Sequence, residues 1–511
     1  MDISLREKIC QSVIVKARPE EHIKKFGSIE NFMKKYPVGG IFVGPEVIAY
    51  NEKTNAENVA EEYEKYSKIP LLVCMDGEAG MSRIVKDAVE LPPLMAVGSA
   101  GDKRLAYDYA KAIAYDAATL GINWTFAPVS DLNINPLNLI VNTRSLGDNE
   151  KAASELLEVL IRGYQENGLL ATAKHFPGDG IDYRNQHIVK SENSLSREEW
   201  FEKSGKMFRR AIDSGVAAIM AGHISAPALQ NDDIDGCYPP ATLSYDLITK
   251  FLKKEMGFSG VVVSDALDMG GFLRWEYEQE EAEVKCYEIG IDMLLWPQLY
   301  TVENIVKAVE NGKIPMSRVD DAYERVMRMK DKICKTEKTH ERGFSERVAK
   351  ELATKAAYML KNKLIPIDKN KYRKIRIVGI ATDDRKFKKL DILKEEFEKR
   401  GAEVEVMRNN GVYHVDFKEL DKNYDLLIYA YMLNADTPNP TGEAAVTIHN
   451  SLVYDADKTI IASFGSPYIF KQYCENAKTY INSYDNEASL RAFVAGIYGE
   501  CVFSGKASVK I

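Results

Sequence analysis

Short, wholly apolar runs that end in a polar or charged residue recur along the chain. One such run, Val261–Val263, passes through Ser264 into Asp265. An unbroken apolar run of this kind is typical of a strand that is buried on both faces of a parallel sheet. Because a charge is costly to bury, we expect Asp265 to lie where the strand leaves the core. For one strand alone, the simpler interpretation is an Asp that caps the following helix.

Four more runs have the same form, and the groups at their ends can ionise or form hydrogen bonds. These ends are Asp76 after Leu71–Met75, Asp131 after Trp124–Val129, Lys174 and His175 after Leu169–Ala173, and His223 after Ala217–Ala221. Between the runs the chain is long enough for a helix. If the strands are parallel neighbours, all five ends lie at one rim, which is where α/β barrels carry their catalytic groups.

Two further runs, Val38–Gly44 and Asp292–Leu295, bring the predicted strands of this region to seven, and an eighth would close a barrel. Residues 5–35 are predicted to be helical. Two stretches rich in Gly, Pro or Asn, 133–148 and 176–187, are predicted to be loops, and the first is long enough to indicate a functional role.

The pattern changes after residue 340. Residues 341–372 are predicted to form a helical linker, and residues 373–511 to form a second module. In this module strands alternate with helical stretches, as in Lys374–Ile380, Leu390–Arg400 and Ala402–Val406. Such alternation indicates a small α/β sandwich domain that follows the catalytic region, residues 1–340.

Composition excludes several classes of function. The 511-residue chain carries a formal net charge of -8 and no basic run interleaved with aromatic residues, so we expect no nucleic-acid partner. Neither a signal peptide nor a membrane-spanning run is present, and the seven Cys are scattered, which predicts a cytoplasmic protein with no membrane partner. No Walker, GxGxxG or HExxH motif occurs, so we expect neither a metal nor another cofactor. The oligomeric state cannot be inferred from these features.

The stretch Lys174–Gly180, followed by Asn185, Gln186 and His187, resembles the signature loop of glycoside hydrolase family 3 in its β-N-acetylglucosaminidase branch. Segments around Asp131, Arg144, Thr242, Asp265 and Phe464 resemble further family segments in the same order, so the similarity covers nearly the whole chain. The resemblance implies a TIM-type (β/α)8 barrel followed by a smaller α/β sandwich. It also implies a retaining glycosidase that acts on a small carbohydrate substrate.

The resemblance also implies roles for individual residues. Asp265 matches the nucleophile that forms the glycosyl-enzyme intermediate. Asp76, Arg144, Lys174 and His175 match the residues that hold the hydroxyl groups of the terminal sugar. His187 matches an unusual acid/base, an imidazole whose ordinary pKa of about 6.5 allows it to give a proton to the leaving oxygen and then take one from water.

Three positions of this loop depart from the family pattern. Asn185 stands where the family has an Asp that pairs with the catalytic His. An amide can accept a hydrogen bond from the imidazole, but it supplies no charge to stabilise the imidazolium. Asp179 or Asp182 is an alternative partner for His187. Asp179 itself replaces a His, and Gln186 replaces Ser or Thr, which we interpret as a minor change.

Three functions are compatible with these residues. The first is an exo-acting retaining β-N-acetylglucosaminidase, and the second is a β-glycoside phosphorylase of the same branch, since a His acid/base carries no fixed negative charge that would repel phosphate. The third is a sugar-binding protein that has lost catalysis through Asn185. In some family members the second domain supplies the acid/base carboxylate. Glu443 is a candidate for that role here, although an exposed turn residue is the simpler interpretation.

Overall fold

The structure is a computed structural model that describes residues 3–46, 59–85, 88–138, 140–234, 236–273, 278–333, 341, 343–382, 384–408, 422–433, 442–451 and 455–511. The chain forms two compact units. The first consists of Met1–Val89, Ala106–Asn135 and Ala153–Phe344, and the second of Glu90–Leu105, Pro136–Ala152 and Ser345–Ile511.

Among the described residues, ten strands lie in the first unit. They are β1 (Val13–Lys16), β2 (Gly40–Phe42), β3 (Leu72–Met75), β4 (Trp124–Thr125), β5 (Thr172–Phe176), β6 (Ser191–Glu192), β7 (Ala218–Ala221), β8 (Ile224–Ser225), β9 (Val261–Ser264) and β10 (Leu294–Leu295). Five of them form a parallel sheet in the order β10-β1-β2-β3-β4, and three form a second parallel sheet in the order β5-β7-β9. Strands β6 and β8 pair separately.

Isolated parallel bridges connect the two larger sheets at both sides. On one side Trp124 of β4 is bridged to Leu170, just before β5, and Val129 to Lys174 within β5; on the other side Val263 of β9 is bridged to Met293, just before β10. Every residue of β3, β7 and β9 is buried, which explains why these strands are apolar without alternation. Side chains from both sheets, including those of Leu72, Met220 and Val263, share one hydrophobic core.

The helices of the chain alternate with these strands, and two of the short ones begin with a capping box, at Ser4 with Glu7 and at Ser196 with Glu199. In chain order the α-helices are Leu5–Cys10, Pro19–Phe26, Ile29–Lys35, Val59–Glu64, Leu94–Ala100, Lys103–Ala118, Glu150–Glu166, Arg197–Glu202, Ser204–Asp213, Gly270–Leu273, Gln279–Glu288, Thr301–Glu310, Met316–Lys330, Phe344–Ala356, Asp384–Glu398, Gly442–Ser451, Ile469–Tyr473 and Glu487–Ile497. Short 3-10 helices span Asn142–Arg144 and Ala241–Leu243, and a π-helix spans Asp246–Glu255.

One sequence prediction is wrong in this unit. Residues 5–35 are not helical throughout, because β1 lies between the helices Leu5–Cys10 and Pro19–Phe26. Its apolar run, Val13–Val15, is only three residues long and is flanked by charged helical residues, so the helical pattern conceals it. Strand β1 pairs with β10 on one side and with β2 on the other. It is therefore a strand of the five-stranded parallel sheet in addition to the seven that were predicted, and the two-residue strands β6 and β8 were not predicted either.

In the part of the second unit that the structure describes, the strands form one six-stranded sheet. Its strands are β11 (Tyr358–Lys361), β12 (Lys374–Ile380), β13 (Glu403–Met407), β14 (Leu426–Tyr431), β15 (Thr459–Phe464) and β16 (Tyr480–Ser483), in the order β11-β16-β15-β14-β12-β13. Only β11 is antiparallel to its neighbour; the other pairs are parallel. The predicted linker, residues 341–372, contains the helix Phe344–Ala356 and then β11. The predicted domain boundaries stay a prediction.

Both units thus combine parallel sheets with helices, which places the chain in the α/β class as predicted. Within the described residues, no helix has both the length and the apolar character that crossing a membrane requires. The predicted cytoplasmic location stays a prediction.

Candidate active site

Asp265 lies directly after β9, where the strand leaves the core, and only 9% of its surface is exposed. Its N–H donates to the carbonyl oxygen of Ala221 at 2.8 Å, which fixes it against the end of β7. Oδ1 accepts the N–H of Ala266 at 2.8 Å, and Oδ2 lies 4.0 Å from Nε2 of His175. As predicted, β5, β7 and β9 are neighbouring parallel strands; His223 and Asp265 follow β7 and β9, whereas His175 lies within β5, which extends to Phe176.

The environment of Asp265 favours its charged form. Burial by itself would raise the pKa of this carboxyl group, but His175, His223, the N–H of Ala266 and the ammonium group of Lys174 together hold the pKa below its ordinary value. Asp265 is therefore a carboxylate at neutral pH. A buried, ionised carboxylate at the end of a barrel-type strand has the properties of a nucleophile.

His175 is oriented by Asp131, which is 2% exposed. Nδ1 of His175 lies 2.7 Å from Oδ2 of Asp131, and Oδ1 of the same carboxylate accepts the backbone N–H of His175 at 3.1 Å. Because the carboxylate accepts the Nδ1 proton, it is Nε2 that faces Asp265.

His223 is completely buried, and burial lowers its pKa, so the imidazole is neutral at neutral pH. Nε2 donates to the carbonyl oxygen of Ala266 at 3.0 Å, and Nδ1 accepts the hydroxyl proton of Thr242 at 3.0 Å. The ring thus supports the backbone beside Asp265.

Lys174 is 2% exposed and pairs with two carboxylates. Its Nζ lies 2.6 Å from Oε1 of Glu78 and 3.4 Å from Oδ1 of Asp76. The side chain of Asp76 is 63% exposed, so it can reach a ligand while Glu78 holds the ammonium group in place. Glu78 was not predicted as a site residue. Its position in the loop that begins at Asp76, two residues from that carboxylate, is the only signal that could have found it.

The loop that carries His187 places two of its side chains in the interior. Asp179 is 1% exposed and Gln186 is fully buried. Oδ2 of Asp179 accepts a hydrogen bond from Nε2 of Gln186 at 3.2 Å, and Oδ1 accepts the N–H of Gly180 at 2.7 Å. Gln186 is therefore an internal anchor of the loop, and the interpretation of this position as a minor change stays a prediction.

His187 itself lies exposed in a turn, and Asn185 is its neighbour in space as well as in sequence. Oδ1 of Asn185 accepts the backbone N–H of His187 at 2.9 Å and lies 2.8 Å from its Nδ1. An amide oxygen can only accept, so Nδ1 carries a proton and Nε2 is the nitrogen that can exchange one with a substrate. The amide orients the imidazole but adds no charge.

The turn is tied to the segment that follows Asp265. Gly270 donates its N–H to the carbonyl oxygen of His187 at 2.8 Å, and Gly271 donates to that of Gln186 at 3.2 Å. A Cβ atom at Gly271 would collide with the Gln186 carbonyl oxygen, so the close approach requires glycine there.

Asp182 is engaged elsewhere in the loop. Its Oδ2 pairs with Nε of Arg184 at 2.6 Å and accepts the N–H of Glu192 at 2.9 Å. These contacts give it a structural role beside the turn.

Two further candidates belong to the second unit. Arg144 ends the 3-10 helix Asn142–Arg144, and its Nη1 donates to the carbonyl oxygen of Ile140 at 3.1 Å. Its role toward a sugar stays a prediction. Glu443 lies in the helix Gly442–Ser451, but its side chain, like the preceding Thr441, lies outside the described residues.

Comparison with known families shows which family the chain belongs to. The family described as glycosyl hydrolase family 3 N terminal domain matches residues 4–329, which is more than half of the chain. This protein therefore belongs to glycosyl hydrolase family 3, as its signature loop and the end of β9 indicated.

Curated relatives match part of the chain. A β-N-acetylglucosaminidase/β-glucosidase of Cellulomonas fimi is 32% identical over 301 residues, which are 58% of this chain and 53% of that protein. A β-hexosaminidase A of Pseudoalteromonas piscicida is 28% identical over 332 residues, which are 60% of this chain and 55% of that protein. The chain thus spans about half the length of these curated relatives.

Solved structures match along the full length. A β-glucoside phosphorylase, BglX, superposes with a TM-score of 0.83 at 25% identity and covers 100% of this chain and 94% of its own. A family 3 β-N-acetylglucosaminidase from Paenibacillus sp. str. FPU-7 superposes with a TM-score of 0.85 at 24% identity, over 100% of this chain and 99% of its own. At that level of identity the second match shows a shared fold.

Proposed function

We propose that this protein is an exo-acting, retaining β-glycoside hydrolase that removes N-acetylglucosamine from small saccharides. The observation that carries the proposal is the buried, ionised Asp265 at the end of β9, with the His187 turn tied to the segment that follows it. The names of the curated relatives, which include β-N-acetylglucosaminidase and β-hexosaminidase, support the choice of sugar.

The proposal includes the full barrel. Strands β1, β2, β3, β4, β5, β7, β9 and β10 would form one closed ring of eight parallel strands. The bridges from Trp124 to Leu170 and from Val263 to Met293 support closure, because each lies between the edge strands of the two sheets. The predicted division into a catalytic barrel, residues 1–340, and a C-terminal α/β sandwich, residues 373–511, belongs to the same proposal.

In the first chemical step, Oδ2 or Oδ1 of Asp265 attacks the anomeric carbon while the bond to the leaving oxygen breaks. Nε2 of His187, as imidazolium, gives its proton to that oxygen. In the second step the neutral imidazole takes a proton from water, the water oxygen attacks the anomeric carbon, and Asp265 departs as a carboxylate. The anomeric configuration is retained because it is inverted twice.

The remaining polar groups are proposed to hold the sugar. Asp76, at the end of β3, supplies an exposed acceptor. Lys174, within β5, supplies a buried ammonium donor. His175 presents its imidazole beside Asp265, held by Asp131.

The test compares substrates and one variant. The wild-type protein should release N-acetylglucosamine from aryl β-glycosides faster than it releases glucose or xylose. In His187→Ala, glycosides with poor leaving groups should lose about two to four orders of magnitude in kcat, because general acid catalysis matters only when the leaving oxygen is basic. Activated aryl glycosides should lose far less. The matched control is Ile188→Ala, an exposed neighbour in the same turn.

An equal loss on both kinds of substrate in His187→Ala would contradict the acid/base role. Glu443 would then be the next candidate for the acid/base.

Phosphorolysis is the second candidate, and the pairing of His187 with an amide favours it. A second carboxylate beside the glycosyl-enzyme would repel a phosphate anion, whereas Asn185 leaves the turn without that charge. The likeness to a β-glucoside phosphorylase along the full chain also supports it. Product analysis with and without inorganic phosphate separates the candidates: a sugar 1-phosphate indicates phosphorolysis, free sugar indicates hydrolysis, and no turnover at all indicates a sugar-binding protein.

A further inference from the structure

Gln186 is an inward-facing side chain in an otherwise accessible turn. It is fully buried, whereas His187 is exposed and Asn185 is partly exposed. Oε1 accepts the backbone N–H of His223 at 2.9 Å, and Nε2 donates to Oδ2 of Asp179 at 3.2 Å. The amide therefore satisfies one donor and one acceptor in the interior.

Asp179 extends this contact toward the nucleophile. Its backbone N–H donates to Oδ1 of Asp131 at 2.8 Å, and the other oxygen of Asp131 orients His175. At one end of this series His175 lies beside the carboxylate of Asp265, and at the other end His223 contacts the carbonyl oxygen of Ala266, the next residue. A continuous series of buried hydrogen bonds thus connects the His187 turn to the strand ends around Asp265.

We infer that Gln186 is a positioning residue: with Asp179, it acts as a clamp that fixes the turn, so that His187 keeps its position relative to Asp265. This inference rests on the proposed acid/base role of His187. Adjacent side chains of the turn point in different directions, so the burial of Gln186 keeps the side chain of His187 on the accessible side of the turn. Misplacement of a catalytic group by about 1 Å can cost about a hundredfold in rate, which makes such a clamp relevant to catalysis.

The clamp needs one carboxylate and one amide. In Gln186→Glu, two carboxylates would face each other at the position of the 3.2 Å hydrogen bond. In Asp179→Asn, two amides would meet, and Gln186 could turn its oxygen to the new amide only by withdrawing it from the N–H of His223. The double variant Asp179→Asn with Gln186→Glu exchanges the two groups. It preserves the charge and can form all three bonds, since Gly180 and His223 still donate to oxygens and the amide at position 179 donates to the carboxylate at position 186.

The experiment measures kcat/KM of the two single variants and the exchanged pair on one slow-leaving and one activated glycoside. Each single variant should lose about a hundredfold on the slow-leaving substrate, in line with a misplaced acid. The loss on the activated substrate should be much smaller, and the exchanged pair should recover most of the activity.

Gln230→Glu is the matched control. Gln230 is also buried, with Oε1 accepting the N–H of Ala226 at 2.7 Å and Nε2 donating to Asp232 at 2.9 Å. It therefore undergoes the same chemical change away from the turn. Its variant should lose thermal stability without a change in the ratio of the two rates.

Hydrogen–deuterium exchange provides a readout that does not need activity. Peptides that contain residues 185–190 and 221–225 should exchange faster in both single variants and return toward the wild-type rate in the exchanged pair. Unchanged exchange in the single variants would overturn the clamp, as would equal losses on the two substrates or an exchanged pair no better than the single variants. A wild-type protein without turnover, but with the expected exchange pattern, would refute the proposed function while supporting the clamp.

Discussion

At the scale of single residues, Asp265 has to keep a negative charge in a nearly buried position. The neighbouring His175, the N–H of Ala266 and Lys174 achieve this, because each stabilises the carboxylate more than the carboxylic acid. The same carboxylate is exposed enough, at 9%, for contact with a substrate at the end of the strand.

Replacing Asp265 with Ala should abolish turnover and leave folding nearly intact, since the side chain forms its one described hydrogen bond to the adjacent Ala266. Mass spectrometry after incubation with a 2-fluoro or 5-fluoro glycoside should find the trapped sugar on Asp265 of the wild-type protein. The control is Asp268→Ala, which removes a half-exposed carboxylate three residues further on that pairs with Lys16. A label on any other carboxylate would overturn the assignment.

The ionisation of Asp265 also makes a prediction about pH. Because its pKa is lowered, the acidic limb of kcat/KM in the wild type should lie below the ordinary Asp value of about 3.9. Among the groups that lower the pKa, His175 contributes most. His175→Ala should therefore raise the pKa of Asp265 and move this limb to higher pH.

The control for this pH profile is His22→Ala, which removes a half-buried imidazole that contacts the Tyr63 hydroxyl group at 2.7 Å. Its acidic limb should coincide with that of the wild type. If the acidic limb of His175→Ala also coincides with that of the wild type, the imidazole of His175 does not lower the pKa of Asp265.

At the scale of elements, the helix Asp384–Glu398 is joined to the helix Glu487–Ile497 through Glu396. This carboxylate lies 2.8 Å from both Lys399 and Arg400, and it also accepts from Arg491 of the second helix. Burial by itself would raise the pKa of Glu396, but these three cations lower it to about 2. The folded state thus favours the charged form more than the unfolded state does.

Glu396→Gln should reduce the free energy of unfolding by about 1 kcal/mol near pH 7, after allowance for solvent screening. A lowered pKa gives stability that is fully present above the unfolded value, about 4.3, and is lost as pH falls through the folded value. The difference from the wild type should therefore shrink from pH 5 to pH 2 in urea unfolding curves. Glu398→Gln, whose carboxylate is half exposed and lies 3.8 Å from Lys394, serves as the control.

The elements also show what the sequence can and cannot predict. The ends of β7 and β9 were predictable because strands buried on both faces are largely apolar, so the first polar residues mark the end. The end of β5 was predicted too early, because the buried polar residues Lys174 and His175 lie within that strand, which extends to Phe176. Strand β1 was missed because its apolar run has three residues between charged helices. The burial of Gln186 was missed because its partners, Asp179 and His223, are 7 and 37 positions away and nothing local indicates the pairing.

At the scale of the whole molecule, the signature loop and the segments that follow it in order were sufficient to predict the family and the α/β class. What the order of segments could not predict is the reaction. Hydrolysis and phosphorolysis use the same nucleophile and the same glycosyl-enzyme, and they differ only in whether water or phosphate reaches it. In the proposed mechanism, the charge around His187 is the property of the molecule on which that choice would depend.

Asn185→Asp tests this dependence, because it adds one negative charge at a position 2.8 Å from Nδ1 of His187. The carboxylate stabilises the imidazolium, so activity on slow-leaving glycosides should rise and the basic limb of the pH–rate profile should move to higher pH. Two unit charges about 4 Å apart repel by about 1 kcal/mol even in bulk water, so any sugar 1-phosphate should fall relative to free sugar by about fivefold or more.

The matched control is Asn231→Asp, which adds the same charge at an exposed asparagine of another loop. It should change neither the product ratio nor the position of the basic limb of the pH–rate profile. If Asp179 or Asp182 already acts on His187, the new carboxylate would be repelled, and activity should stay flat or fall. If the wild-type protein yields only free sugar at every phosphate concentration, phosphorolysis is excluded. The position of the basic limb of the pH–rate profile is then the deciding measurement. A profile unchanged in position and height, together with an unchanged product ratio, would mean that residue 185 does not act on His187, and the pairing would have no part in the chemistry.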